Sequence, residues 1–120
     1  MTFLLVFIGG GLGSLVRYMI GLLLQKTTPS LPLATFAANT LACLIFAGVL
    51  WFGQNRGWTG IHLKLLLLTG FCGGLSTFST FGYETFLLIK QGMAFYAVLN
   101  ILFSITCCLL IFYIFDRATT

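Results

Sequence analysis

One segment of the sequence combines side chains that can interact with an ion, at a place where a membrane-spanning helix normally carries plain apolar residues. The segment is Gly70–Glu84, which reads GFCGGLSTFSTFGYE. Glycines near its start weaken helical order, and four hydroxyl side chains follow within five positions. A break in backbone hydrogen bonding is tolerated at membrane depth only where protein or water covers it. The segment therefore predicts an ion or substrate site that is built from the ends of two half-helices.

The chemistry available around this segment is that of neutral donors and aromatic edges. Its hydroxyls, with the amide of Asn39 in the preceding apolar run, can replace the water lost by a small, hard anion, and the ring edges of Phe78 and Phe81 are electropositive. The half-helix after the break would add a positive dipole end, whereas carbonyls freed at the break would favour a cation. The alternative is a continuous spanning helix that is merely softened by Gly, Ser and Thr.

The elements that must hold this segment are membrane helices. Of the 120 residues, 59% are hydrophobic and 7% are charged. A helix needs about 20 apolar residues to cross the hydrocarbon core. The runs that meet this need are Thr2–Gln25, interrupted only by Arg17, and the uncharged Leu33–Phe52, Leu65–Tyr83 and Met93–Phe115. We predict an all-α membrane protein, with four transmembrane helices in one domain over residues 1–120 and the third helix broken.

The basic residues near the helix ends give almost no preference for one orientation. One side of the membrane would carry Arg56, Lys64 and Arg117 and the other Lys26 and Lys90, a difference of one charge. The positive-inside bias is then weak. Such a chain can insert both ways and pair as an antiparallel homodimer, unless one charge suffices to fix its orientation. The net charge of +4 is scattered and forms no patch, so we expect no nucleic-acid partner.

Two ionisable residues lie within or beside the apolar runs. Gly9, Gly13, Arg17 and Gly21 recur every four residues, and small residues at this spacing let helices approach closely. We expect Arg17 to extend to the membrane interface or to form a structural pair, because ionisable groups in apolar runs face protein or water. Glu84 would neutralise Arg17 or a lysine, or line a vestibule.

The remaining polar positions leave two roles open. Asn39 cannot stay unpaired in lipid, so it either makes an interhelical hydrogen bond or donates to an anion. Asn100, Ser104 and Cys108 repeat every four residues and form a stripe that either follows the ion or contacts neighbouring helices. The cysteines form no CxxC pair, and we interpret them as small apolar side chains without a disulfide or metal site. No catalytic set is present, so the chain is not expected to be an enzyme.

The motif GFCGGLSTFSTFGYE resembles the signature of the Fluc (CrcB) fluoride channels. The similarity extends over the whole chain: four helices, a glycine-rich start that leads to Arg17, an asparagine in the second helix, and the length. The resemblance implies an antiparallel, dual-topology homodimer with two pores along its interface and a broken third helix. It also implies a structural sodium ion on the two-fold axis, held by backbone carbonyls of both copies.

Site residues follow from the resemblance position by position. The sodium carbonyls belong to Gly73 and Ser76. The pore residues are Asn39, Phe78, Phe81, Ser79, Thr80 and Ser104. Two departures stand out: Ser76 replaces a usual threonine, which matters little to a carbonyl ligand, and Asn100 and Cys108 stand where other members can have tyrosine or serine.

The implied function is passive export of cytoplasmic fluoride through the plasma (inner) membrane of a prokaryote, which gives fluoride resistance. Hydrogen fluoride enters as a neutral molecule and dissociates inside, and a channel lets the trapped anion leave down its electrochemical gradient. One alternative is a small dual-topology multidrug exporter, but such exporters carry a glutamate in the first helix, where this chain has Arg17. A second alternative is a non-transporting membrane scaffold or helper subunit.

Overall fold

The computed structural model describes residues 1–25, 31–57 and 60–118. Within these ranges, four helical segments are long and apolar enough to cross a membrane, which confirms the four predicted spans. They are α1 (Thr2–Leu24), α2 (Leu33–Arg56), the third span (Ile61–Lys90) and α6 (Ala94–Arg117). Helix α2 continues past the predicted end of its apolar run and stops before Gly57, whose φ of 64° is the left-handed conformation typical after a helix. Lys26, which entered the charge comparison, lies outside the described residues.

The third span is not one uniform helix. Its segments in chain order are α3 (Ile61–Lys64), a π-helix (Leu65–Cys72), α4 (Gly73–Leu75), the extended residues Ser76 and Thr77, and α5 (Phe78–Lys90). Ser76 has φ −77° and ψ 154°, and Thr77 has φ −149° and ψ 123°, so both adopt β-type backbone conformations in the middle of a membrane span. The π-helix was not predicted; such segments are rare and often occur at functional sites.

Helix α1 crosses the third span at a contact made almost entirely of backbone. We call this contact the glycine crossing, and its members are Gly9 and Gly13 of α1 with Gly70 and Gly74 of the third span. A Cβ added to Gly9 would lie 2.9 Å from the amide nitrogen of Phe71, and one added to Gly13 would lie 2.8 Å from that of Leu75. The predicted close approach is therefore correct for the first half of the stripe. It is wrong for Gly21, where such an atom would have no neighbour within 4 Å among residues 1–25, 31–57 and 60–118.

The fold is a thin slab with a small core. Its dimensions are 49 × 34 × 20 Å, and the longest suits a bilayer with its headgroups, which is about 40–45 Å thick. Helix α2 packs along α6, α5 also packs against α6, and α1 packs on the π-helix and α4. Ala38, Ala42 and Leu75 form the central buried cluster, in which Leu75 is the largest fully buried side chain. The end of α4 is thus fixed in the core, directly before the extended residues.

Candidate functional site

The extended part of the third span is held by one side chain of α2. The Nδ2 atom of Asn39 donates a hydrogen bond to the carbonyl oxygen of Thr77 over 3.2 Å, and the backbone N–H of Thr77 donates to Oδ1 of Asn39 over 2.7 Å. The amide thus satisfies both backbone groups of a residue that has left the helix. Of the two roles considered for Asn39, the structure shows an interhelical hydrogen bond, and one N–H of Nδ2 remains beyond this pair.

The hydroxyl groups of the motif gather at the start of α5. Thr77 caps this helix, because its Oγ1 accepts a hydrogen bond from the backbone N–H of Thr80 over 3.3 Å. The same Oγ1 donates to Oγ1 of Thr80 at 3.1 Å and lies 3.4 Å from Oγ of Ser79. The first backbone N–H groups of α5, those of Phe78 and Ser79, have no acceptor within the helix. The positive end of the helix dipole is therefore presented at the extended residues.

Two backbone carbonyls lose their helical donors at the same place. In a continuous α-helix, the carbonyl of Gly73 would accept from the N–H of Thr77, and that of Ser76 from the N–H of Thr80. Those two N–H groups donate instead to the side chains of Asn39 and Thr77. Gly73 and Ser76 are also exposed on the surface of the chain. These are the two carbonyls to which the sequence resemblance assigned sodium, and their chemistry suits a hard cation.

A cleft of about 360 Å³ opens beside the extended residues, between α2, α5 and α6. Its walls are formed by Phe36, Asn39, Thr40, Cys43, Ser76, Thr77, Phe78, Phe81, Ser104, Ile105, Cys108 and Leu109. The structure therefore brings together four of the six predicted pore residues from three different helices. The other two, Ser79 and Thr80, are not part of the wall, because their hydroxyls lie at the α5 cap.

The cleft pairs aromatic rings with a hydroxyl that has no partner. The ring centroids of Phe78 and Phe81 are 6.1 Å apart with their planes at 37°, and the Phe78 side chain is 86% exposed. On the opposite wall, the Oγ atom of Ser104 is buried and has no hydrogen-bond partner within the described ranges. Because buried polar atoms in native proteins are nearly always paired, this hydroxyl is a candidate donor to a ligand of the cleft.

The polar stripe of the fourth span divides into two parts. Nδ2 of Asn100 donates to Oγ1 of Thr85 at 3.0 Å, and that hydroxyl donates in turn to the carbonyl oxygen of Phe81 at 2.7 Å. Asn100 thus ties α6 to α5 and supports the backbone of a cleft residue. Ser104 and Cys108, one and two turns further on, line the cleft itself.

Glu84 and Arg17 do not form the ion pair that the sequence suggested. Glu84 accepts a hydrogen bond from the hydroxyl of Thr35 and lines a second cavity of about 370 Å³ together with Tyr18 and Gln25. Arg17 is half-buried on α1, and no ion pair joins it to Glu84 in the part of the chain that the structure describes. The Thr35 hydroxyl on α2 engages the carboxyl group, and the Oε2 atom of Glu84 is buried with no hydrogen-bond partner among the described residues. Glu84 thus lines a cavity in the structure, and its role as a vestibule group stays a prediction.

Comparison with known proteins agrees with the motif. Residues 4–114 match the family model described as CrcB-like protein, Camphor Resistance (CrcB). The fluoride-specific ion channel FluC of Escherichia fergusonii is 41% identical over 123 residues, covering 97% of this chain and 94% of the relative. The channel of the same name from Klebsiella pneumoniae is 44% identical over 98 residues, covering 81% and 76%. That from the archaeon Pyrococcus abyssi is 45% identical over 103 residues, covering 83% and 80%.

These relatives also answer whether the chain is an enzyme. Each of them is named as an ion channel, and this confirms the expectation that no catalytic activity would be found. The match covers nearly the whole chain and includes the entire segment Gly70–Glu84 on which the resemblance depended. The chain therefore belongs to the CrcB family of membrane channels.

Proposed function

We propose that the protein is a fluoride-selective channel that exports cytoplasmic fluoride passively and thereby gives fluoride resistance. The family and the names of the relatives support a fluoride channel. The observation that carries the proposal furthest within this chain is the unpartnered Ser104 hydroxyl, which shares one cleft with Phe78 and Phe81. A donor and ring edges beside the positive end of a helix suit a small anion.

Fluoride holds its water strongly, so a permeation path must supply replacement donors at each step. The Ser104 hydroxyl and the second N–H of Asn39 would donate hydrogen bonds, and the rings of Phe78 and Phe81 would present electropositive edges. The unpaired N–H groups at the start of α5 add positive potential. Ser79 and Thr80, both assigned to the pore from the motif, would act through the cap that sets this helix end.

We infer that the working form is an antiparallel homodimer with two pores. Gly73, Ser76 and Phe78 are exposed at membrane depth, and extended backbone cannot face lipid because its polar groups would be unsatisfied. A second copy would cover this surface. The charge bias for orientation is only one residue, so copies can insert in opposite directions. Two such copies would be related by a two-fold axis in the membrane plane. A pore formed on one side of that axis would then have an equivalent pore on the other side.

A structural sodium ion at the centre of this dimer is part of the proposal. The carbonyls of Gly73 and Ser76 lack their helical donors and face outwards, so each copy would offer two hard oxygen ligands to a site on the two-fold axis. When bound, sodium would supply positive charge that offsets these carbonyl dipoles and would link the two copies. No catalytic role is assigned to it.

The direction of transport would follow the ion gradient. Hydrogen fluoride crosses the membrane as a neutral molecule and dissociates in a less acidic cytoplasm, and the channel would let the anion leave. Arg17 and Glu84 would act away from the narrow part of the path, as a structural group and a vestibule group respectively. The relatives come from bacteria and an archaeon, which supports the plasma (inner) membrane of a prokaryote as the location.

The test is anion efflux from liposomes that contain only the purified protein. We expect rapid fluoride efflux, little chloride efflux, and loss of dimer and flux when sodium is replaced by a large organic cation throughout purification. Flux by the protein alone would separate a channel from a helper subunit. Absence of fluoride efflux in sodium, or efflux of an organic cation coupled to protons, would overturn the proposal.

A further inference from the structure

Two cysteines that the motif does not use meet across the seam between α2 and α6. The Sγ atoms of Cys43 and Cys108 are 2.6 Å apart, although both residues are free thiols. The sequence interpretation of these residues as unrelated apolar side chains missed this pairing, because the cysteines are 65 positions apart. A disulfide needs a sulfur separation of about 2.05 Å, so only a small adjustment of the side chains would close it.

The seam holds this pair in register from both sides. Oγ1 of Thr40 contacts Sγ of Cys107 at 3.9 Å about one turn away along α2. In the other direction, the rings of Phe46 and Phe112 pack edge to face with centroids 5.8 Å apart. Contacts on both sides of the thiols limit sliding or rotation of one helix against the other. The seam therefore keeps residues 43 and 108 opposite each other on the two helices.

Cys43 and Cys108 also lie where a disulfide would affect the cleft. Both cysteines line the same cleft as Ser104 and Phe81, and both are half-buried. A small oxidant that enters the cleft can reach them. Cys72 is buried within the third span and Cys107 faces Thr40, so neither lies against another cysteine among the described residues.

We propose that Cys43 and Cys108 form a reversible disulfide within one chain, and that this bond slows permeation through the cleft. With diamide as the oxidant, one thiol adds to its N=N bond and the other thiol attacks the first sulfur. An S–S bond forms and two S–H bonds are lost, and the hydrazine product carries away the two electrons and two protons. The bond fixes α2 to α6 and removes two weak donors from the wall. The effect on permeation rests on the proposed fluoride channel.

The experiment compares two variants that keep two cysteines each. The pair variant, Cys72→Ala with Cys107→Ser, retains Cys43 and Cys108. The matched control, Cys72→Ala with Cys108→Ser, retains Cys43 and Cys107 on the same two helices. Each is treated with diamide in liposomes, unfolded, and reacted with a maleimide to count thiols, and the intact mass is measured.

We expect the pair variant to lose both thiols, to become lighter by two hydrogen atoms, and to run as a single chain without reductant, while the control keeps both thiols. Dithiothreitol should restore the thiols. Fluoride efflux of the pair variant should fall roughly fivefold on oxidation, which corresponds to about 1 kcal/mol at the barrier, and recover with the thiols.

Three results would overturn the inference. These are thiols that stay reactive in the pair variant, a bond that links two chains, and a complete intrachain bond that leaves efflux unchanged. If the reduced protein passes no fluoride at all, the channel proposal fails, and the thiol count still decides whether the bond forms.

Discussion

The third span makes two very different contacts within a few residues of each other. At the glycine crossing, its backbone packs against the backbone of α1, with no side chain between them at Gly9 and Gly13. At the cleft, its backbone is extended and is held by the side chain of Asn39 from α2. The glycine crossing leaves no room for a side chain or a water molecule, whereas the cleft has a volume of about 360 Å³.

The difference shows how a membrane protein can hold an irregular backbone without closing the site around it. The glycine crossing and the buried Leu75 fix the span up to the end of α4. From there, Asn39 and the Thr77 cap supply the hydrogen bonds that the helix has given up. Tight packing at the glycine crossing thus fixes the position of the third span. The polar groups at the cleft remain available to a ligand.

The largest effect is expected from a side chain placed in the glycine crossing. Gly13→Val would push two branches into the backbone of Phe71 and Leu75, and overpacking of rigid neighbours costs about 3 kcal/mol or more. We expect little monodisperse protein in size-exclusion chromatography. Gly11→Val on the same helix is the control, since a Cβ added there would meet no described residue within 4 Å. Equal yields of the two variants would show that the crossing is not tight.

The next effect is expected at the side chain that spans the extended residues. Asn39→Ala would leave the N–H and the carbonyl of Thr77 unpaired, at a cost of about 3 kcal/mol in unfolding free energy. Asn100→Ala removes an amide whose hydrogen bond within the described ranges goes to the hydroxyl of Thr85, so we expect a loss nearer 1 kcal/mol. Thermal unfolding in detergent measures both. Equal losses of unfolding free energy in the two variants would mean that hydrogen bonds to the extended backbone stabilise the protein no more than a bond between side chains.

A change in the aromatic wall should separate transport from stability. Phe81→Ile keeps an apolar side chain but removes the ring edge, and we expect fluoride flux to fall about tenfold, or about 1.4 kcal/mol at the barrier, while the dimer survives. Phe86→Ile on the same helix is the control, because that ring is 57% exposed and lies outside the cleft wall. Unchanged flux in the Phe81 variant would remove the ring-edge role.

The smallest effects should differ in sign between the two regions. Ser104→Ala removes a buried hydroxyl without a partner, so stability should stay equal or rise by about 1 kcal/mol while fluoride flux falls. Ser14, at the crossing, donates to the carbonyl of Gly74 over 3.4 Å, so Ser14→Ala should cost a few tenths of a kcal/mol with flux unchanged. Parallel unfolding and efflux measurements test both. The reverse pattern would place the working hydroxyl at the crossing.

The membrane spans could be predicted from sequence because their signals are local, whereas the site residues were named from the resemblance to a family motif. Apolar runs located the four spans, and the structure places Phe78 and Phe81, which the motif named, on one cleft wall with Asn39 and Ser104. The glycines near the start of the segment were expected to weaken the helix, whereas Gly73 and Gly74 are helical and the extended residues follow them. Glycine lowers the cost of leaving a helix, but Asn39 decides which residue leaves, because its amide fits the backbone of Thr77.

What could not be predicted depends on contacts between distant parts of the chain. Glu84 bonds to Thr35 and not to Arg17, since the rotation of α2 relative to the third span is not encoded in spacing. The contact between Cys43 and Cys108 has the same origin. The π-helix over Leu65–Cys72 leaves no periodic trace, because every residue in that stretch is apolar or small.

The glycine crossing has a consequence for the gene. Every amino acid other than glycine carries a Cβ, so any missense mutation in the codons for Gly9, Gly13 or Gly74 adds an atom that would strike backbone. In a saturation screen under toxic halide, these codons should admit only synonymous changes. The codon for Gly11, two triplets before that for Gly13, should tolerate missense changes. The pattern of tolerated codons along α1 would then identify the residues at which the two helices touch.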